Sequence, residues 1–447
     1  MRSKISFKVD RLAQFKNNAL HWADEFPNFA YYENNNISYR YGSFTNILAV
    51  DIDDETDLSR LDRPPKRTCF ELLNEFIANN SYWLFGYFTY DLKNENPACQ
   101  PGKEPLFSNN IDKVLFPPLH FFKPKHVIFF NQNEVTVESS IDAQDVYEKI
   151  SDYACLPALK FQQAGAIRNF FKLQQRVRKK EYIETVKKIK NHIIEGDIYE
   201  LNYCIEFFAE NTIIDPIHIF LSLNKYSPMP FAGIYKHDNK YLLCASPERF
   251  LKKIHVSMLI SQPIKGTIER GKSPEEDKCL KQKLRSDEKE LAENMMIVDL
   301  VRNDLARSSK TGSVQVDELF GIYKFKNLFQ MISTVTSELK DNCHFIDAIK
   351  NAFPMGSMTG APKIRAMELI EQYEKTKRGL FSGSLGYITP GRDFDFNVVI
   401  RSILYNQTTN YLSFQAGSAI TYDSIPEKEY DECLLKAEAI MNTLSGN

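Results

Sequence analysis

In the pentapeptide Pro263-Ile264-Lys265-Gly266-Thr267 an amine stands between Ile and Gly, just after the strand-like run Met258 to Ile260. From there it can act as a nucleophile, provided it is neutral. A lysine with the ordinary pKa near ~10.4 is neutral in only about one molecule in a few thousand at pH 7. A site that uses it must desolvate it or set a second cation beside it; otherwise the same residues read as a solvated lysine on a turn. Glu248, in Ser246-Pro247-Glu248-Arg249-Phe250, is an acid able to protonate a poor leaving group, or else the partner of Arg249 or of another surface charge. Glu290 and Glu293 share a helix face with Ile297, and Glu429, Glu432 and Lys436 follow at i, i+3 and i+7. Such carboxylates hold Mg²⁺ together with waters and an anionic substrate, or form exposed ion pairs along a helix. Arg401, within the strand-like run Asn397 to Leu404, offers a bidentate fork for a carboxylate, and Gly417 lets backbone approach an anion closely. Gly356 to Lys363 lacks the spacing of a phosphate loop, but Pro362 marks a helix start whose free N–H groups, with the Thr359 hydroxyl, can receive an anion.

The elements that position these groups are legible in part. Ile183, Val186, Ile189 and Ile193 fall at helical spacing and Gly196 closes the run, which predicts a helix over 180 to 195. Ser273-Pro274-Glu275-Glu276 caps the start of a helical stretch leading to Glu293, and Ser424-Ile425-Pro426-Glu427 repeats that logic before a last helix over 427 to 444. Hairpins are expected at Asn131 to Asn133, at Asp238-Asn239, and between Phe394 to Tyr405 and Tyr411 to Gln415. Adjacent antiparallel strands interleaved with helices predict an α+β fold rather than a doubly wound parallel sheet. No internal repeat or low-complexity linker divides the chain. A soft boundary separates an aromatic-rich region, 1 to about 170, from a motif-rich region, 180 to 445.

The 447 residues, 43% of them hydrophobic, are enough for two to three domains with a large core. A net charge of -2 gives no basic field, which argues against nucleic acid or a membrane surface as partner. The eight cysteines never form CxxC, so neither a zinc site nor a compact disulfide framework is suggested, and no segment has the length and apolarity of a membrane span. The expectation is a cytoplasmic protein.

Taken together and in this order, SPERF at 246 to 250, PIKGT at 263 to 267, Glu293 to Leu305, Gly356 to Lys363, Gly386-Tyr387, Ile400-Arg401-Ser402 and Gln415 to Ala419 resemble the chorismate-utilising enzymes over residues 180 to 445. Lys between PI and GT, where anthranilate-forming members usually carry Ala, places the resemblance with the aminodeoxychorismate-forming branch. The resemblance implies a large antiparallel β-sandwich with outer helices and an active site in a cleft of the C-terminal part. It also implies roles. Lys265 attacks ring carbon C2, Glu248 protonates the C4 hydroxyl, and Glu293 and Glu432 hold Mg²⁺. Thr359 meets the ring carboxylate; Arg401, Tyr387 and the backbone of Gly417 and Ser418 meet the enolpyruvyl carboxylate, and Lys436 completes the substrate contacts. Ammonia is to come from a separate glutamine amidotransferase subunit, since no cysteine has a glutaminase context. Two positions depart from the pattern: Glu200 in Gly196-Asp197-Ile198-Tyr199-Glu200-Leu201-Asn202 replaces the usual Gln, and Gln330 replaces a His. Isochorismate-forming members carry a lysine base at the position of Glu200, which argues against that branch. A tryptophan-binding signature is not evident at Tyr31 to Asn34. The rivals are an anthranilate, isochorismate or salicylate synthase, and a non-catalytic chorismate-binding subunit in which Glu200 and Gln330 are signs of decay.

Overall fold

The computed structural model describes residues 2–58, 67–96, 106–153 and 172–445. The soft boundary near 170 lies outside them. Two antiparallel layers face each other. One runs, strand beside strand, from Ser3–Lys8 through Glu134–Ser139, Leu119–Asn131, Ile47–Glu55, Asn28–Glu33, Phe231–His237, Lys240–Ser246, Ser402–Asn406 and Tyr411–Ile420 to Glu200–Ala209. The other leaves the same long strand Leu119–Asn131 by its first half. It continues through Leu84–Phe88, Ser384–Ile388, Phe394–Asn397, Arg249–Ile254, Met258–Gln262 and Leu328–Glu338, which is flanked further along by Ile264–Glu269 and Gln315–Lys324. Strands of the first 170 residues thus pair directly with strands from beyond 180: Asn28–Glu33 with Phe231–His237, and Leu84–Phe88 with Ser384–Ile388.

Side-chain alternation divides the core as a two-sided sheet requires. From the strand Asn28–Glu33, Ala30 and Tyr32 enter the core between the layers, while Phe29 and Tyr31 enter a second core under the outer helices. The layers touch through the Tyr32 hydroxyl, which donates to the carbonyl of Gly386 at 2.7 Å, and through the edge-to-face rings of Tyr87 and Tyr235. Gly233 and Gly386 sit where a Cβ would strike the facing backbone, at 2.6 Å from Tyr31 O and 2.1 Å from Asp395 O.

The expected hairpins at Asn131 to Asn133 and at Asp238-Asn239 form with Glu134 opposite Asn131 and Lys240 opposite His237. The expected helix is Lys179–Ile194, with Gly196 beyond it at φ +83. Two expectations are corrected. The stretch opened by Ser273 is two helices, Pro274–Arg285 and Glu288–Ala306; Ser273 caps the first and Asp287, accepting from the amide of Glu290, caps the second. The run Asn397 to Leu404 is not one strand: pairing stops at Asn397 and resumes at Ser402, with Arg401 between them at φ +53. Among the described residues no helix is long and apolar enough to cross a membrane.

Candidate active site

A cavity of about 610 Å³ opens where the strands Ile264–Glu269, Glu200–Ala209 and Tyr411–Ile420 meet the helices Glu288–Ala306 and Pro426–Ser445. Lys265, Glu248, Glu293, Glu432, Arg401, Lys436 and Gly417, far apart in sequence, all line it. So does Gln330, whose carbonyl oxygen is buried there without a hydrogen-bond partner.

Lys265 is carried by an irregularity rather than by a turn. The pairing of Ile264–Glu269 with Leu328–Glu338 shifts register between Ile264 and Thr267, and Gly266 within the shift has φ +95. A Cβ there would press on Met331 Cβ at 3.1 Å and Glu290 Oε2 at 3.2 Å, so the backbone form and the crowding both call for glycine. The Asn294 amide donates to the carbonyl of Lys265 at 3.2 Å and the Asn294 carbonyl accepts from Ser333 Oγ at 2.6 Å, fixing the bulge. Lys265 Nζ donates to Glu200 Oε1 at 2.7 Å. Burial pushes the ammonium toward neutrality, but the carboxylates of Glu200, Glu293 and Glu432 outweigh it and hold its pKa above that of an ordinary lysine. The site thus sets Lys265 beside an anion, Glu200, rather than beside the second cation that the expectation of a neutral amine called for.

Glu248 follows the strand Lys240–Ser246 and is 4% exposed. The alternative pairing with Arg249 is excluded, because Arg249 turns away to grip Asp395 with two parallel hydrogen bonds of 2.9 and 3.0 Å. Glu248 Oε1 accepts instead from Ser357 Oγ at 2.6 Å. Burial raises its pKa to about 7, against the opposing pull of Ser357 and Lys265, so near neutrality it can carry a proton and give it up.

The carboxyls of the two helices sit among lysines. Lys289 lies 3.6 Å from Glu293 and 3.3 Å from Glu429, while Lys436 Nζ lies 2.6 Å from Glu432 and donates to the carbonyl of Gly417 at 3.0 Å. Burial lifts Glu293 to about 7, with Lys265 opposing, and Glu293 Oε1 has no hydrogen-bond partner. Burial would also raise Glu432, but Lys436 holds it below the usual carboxylate value. An orphaned buried carboxylate oxygen facing a cavity that other carboxylates share is the oxygen donor set of a hard cation, so these residues fit Mg²⁺. Arg401 donates to the carbonyl of Lys436 at 2.7 Å; burial pushes its pKa down to about 10, with Glu432 opposing.

Three residues expected at the substrate are not on the cavity wall. Tyr387 belongs to the aromatic core, beside Tyr32 and Phe44. Its hydroxyl accepts from the Thr45 amide at 3.0 Å and bonds the Thr45 hydroxyl at 3.1 Å. The Thr359 hydroxyl is spent within its own turn, on the carbonyls of Met355 and Gly356. The Ser418 hydroxyl, one residue past Gly417, turns to the opposite face of the strand and meets Tyr182 at 2.9 Å, whereas the expectation concerned the Ser418 backbone. Conversely, Ser357, Asn202 and Asn294 were missed. Asn202 holds Ser357 through its carbonyl at 2.9 Å, and Ser357 in turn holds Glu248. The position of Asn294 one residue after Glu293, on the buried side of a cavity helix, was the available signal.

The family described as chorismate binding enzyme matches residues 27–442. The chain is 41% identical over 263 residues to the probable aminodeoxychorismate synthase, chloroplastic, of Oryza sativa subsp. japonica, covering 58% of this chain and 29% of that protein. It thus spans less than a third of that relative's length. It is 33% identical over 397 residues to anthranilate synthase component 1 of Aquifex aeolicus, covering 84% of this chain and 78% of that one. The crystal structure of anthranilate synthase component I from Streptococcus pneumoniae superposes with a TM-score of 0.72 at 25% identity, over 91% of this chain and 95% of that chain.

Proposed function

Because the chain belongs to the chorismate-binding enzyme family, we propose that it aminates chorismate at C4 to give 4-amino-4-deoxychorismate, the step that opens 4-aminobenzoate and folate synthesis. The observation that carries this reading is a single cavity that presents an amine, Lys265, together with a carboxyl poised near neutrality, Glu248. Lys265 forms a bond to C2, the ring double bonds shift, and the C4–O bond breaks as Glu248 protonates the departing oxygen. Ammonia then adds at C4 and expels the lysine. Two lower barriers replace one.

Arg401 and the backbone of Gly417 grip the enolpyruvyl carboxylate beside Lys436. Glu293 and Glu432 would hold Mg²⁺, which, when bound, neutralises the ring carboxylate and so favours binding of the dianion. The ammonia source is a glutamine amidotransferase subunit. Similarity to anthranilate synthase component 1 over a larger share of the chain favours one rival, amination at C2; an amine that blocks C2 argues against it.

The test is to incubate the chain with chorismate, Mg²⁺ and ammonium and to identify the product by mass and ultraviolet spectrum. 4-Amino-4-deoxychorismate is expected. Anthranilate would overturn the reading in favour of the rival, and no turnover of chorismate would leave a binding subunit.

A further inference from the structure

Glu200, a departure from the family's sequence pattern, supplies the carboxyl that meets the cavity lysine Lys265. Its side chain is wholly buried. One oxygen accepts from Lys265 Nζ at 2.7 Å and the other has no hydrogen-bond partner. Its backbone pairs with Ala361, at the start of the strand that runs beside Tyr411–Ile420 from Leu201 onward. Lys265 faces Glu293 and Glu290 from the helix Glu288–Ala306, Glu432 and Lys436 from the helix Pro426–Ser445, and Glu248 from its own layer. Among the described residues, none of these lies within hydrogen-bond reach of Nζ; Glu200 alone does.

We propose that Glu200 is the base that takes the proton from the Lys265 ammonium when Nζ attacks and returns it when the lysine leaves, an inference that rests on the amination reading. The protons balance. Glu200 accepts one proton from Nζ; the freed lone pair makes the Nζ–C2 bond; the ring double bonds shift; and the C4–O pair leaves with the Glu248 proton as water. When ammonia adds at C4, the C2–N pair returns to lysine, which recovers its proton from Glu200, while the new ammonium at C4 re-protonates Glu248. Because Glu200 already touches Nζ at 2.7 Å, proton removal by it does not wait for hydroxide.

The test follows the covalent adduct on Lys265 by quenched intact-protein mass spectrometry with chorismate and Mg²⁺ but no ammonia, from pH 6 to 9. The native chain, Glu200→Gln and Glu200→Asp are compared. Glutamine keeps the size and a hydrogen bond but cannot take a proton. Relative to the native chain, Glu200→Gln is expected to form adduct roughly 100-fold more slowly at pH 7, with the ratio recovering about tenfold per pH unit as solvent deprotonates the amine. The ratio cancels the titration of Glu248, which both proteins share. Glu200→Asp should restore a pH-independent ratio at a reduced rate, and chorismate affinity should stay within a few-fold for both variants. A Glu200→Gln ratio that is constant with pH would mean that Glu200 only positions the lysine, and would overturn the inference. Native chain that makes 4-amino-4-deoxychorismate with ammonium yet forms no Lys265 adduct would overturn it too, leaving amination standing; absence of both product and adduct would remove both readings.

Discussion

Two lysines of this chain, Lys265 and Lys363, each hold a carboxylate at 2.6–2.7 Å with little exposure, and of these two Lys265 faces the cavity. Lys363 Nζ is surrounded: Asp304 Oδ2 at 2.6 Å, the carbonyl of Pro354 at 2.8 Å and the carbonyl of Ala352 at 3.2 Å accept from it. Lys265 Nζ has Glu200 at 2.7 Å and opens onto a space of about 610 Å³. Both sites have the desolvated ammonium and the close anion, so neither burial nor pairing distinguishes structure from chemistry. The distinction lies in the remaining donors of the ammonium. Where backbone carbonyls use them, the lysine ties loop to helix; where they are left toward empty volume, it can move a proton and form a bond.

The comparison breaks first at Lys265. Lys265→Ala is expected to lower 4-amino-4-deoxychorismate formation by at least about 1000-fold, or roughly 4 kcal/mol of barrier, while equilibrium binding still detects chorismate, because Arg401 and Gly417 remain. Unchanged product output would remove the lysine from the chemistry. The matching change at Lys363 should act on stability instead. Lys363→Met leaves Asp304 charged and buried without its cation, so thermal or denaturant unfolding should show a loss of about 3–5 kcal/mol. A stable Lys363→Met with impaired product formation would reverse the assignment of the two sites.

Smaller effects sharpen the chemical side. Glu432→Gln is expected to raise the Mg²⁺ concentration for half-maximal activity by about tenfold, or about 1.4 kcal/mol, with unfolding little changed. Equal Mg²⁺ titrations for the two proteins would sink the metal assignment. Glu248 gives a signed pH effect. Its carboxyl is raised in the folded chain from the ordinary 4.5 to about 7, so the folded state binds the extra proton and the contribution to stability is present below the unfolded value and lost as pH rises through about 7. Turnover per free ammonia molecule should fall over the same window, as the acid is lost. Glu248→Gln should therefore be more stable than the native chain at pH 8, by about 1–3 kcal/mol, with no such gain at pH 4, and inactive at both. Equal stability at pH 4 and 8 relative to the native chain would refute a buried titrating acid. The smallest change belongs to Tyr387→Phe, which loses the Thr45 hydrogen bonds: about 1 kcal/mol of stability and less than a threefold change in KM for chorismate. A large rise in KM would return Tyr387 to the substrate.

Elements set by neighbours in sequence were legible: the Asp238-Asn239 hairpin and the helix Lys179–Ile194 follow from turn residues and spacing alone. The residues on the cavity wall were found through motifs rather than through geometry. Where a residue of the motif reading lies off the cavity wall, core packing or a local turn decided the direction of its side chain, as at Tyr387 and Thr359. The break at Arg401 had no local marker, since a left-handed arginine looks like any strand residue in a list of letters. The partner of Lys265 was hidden for another reason. Glu200 lies on a strand that reaches the lysine only after the cavity walls have assembled, so a substitution that looked like decay is a contact made across the fold.

The pairing of Asn28–Glu33 with Phe231–His237, and of Leu84–Phe88 with Ser384–Ile388, also governs how the chain can be made. During synthesis the early strands must wait, with open edges, until the ribosome has delivered most of the polypeptide. Contacts so distant along the chain favour slow, late folding and a chaperone's attention. A fragment beginning near 180 would expose the edge of Phe231–His237 and lose the neighbour of Ser384–Ile388, so it should aggregate rather than yield a trimmed enzyme.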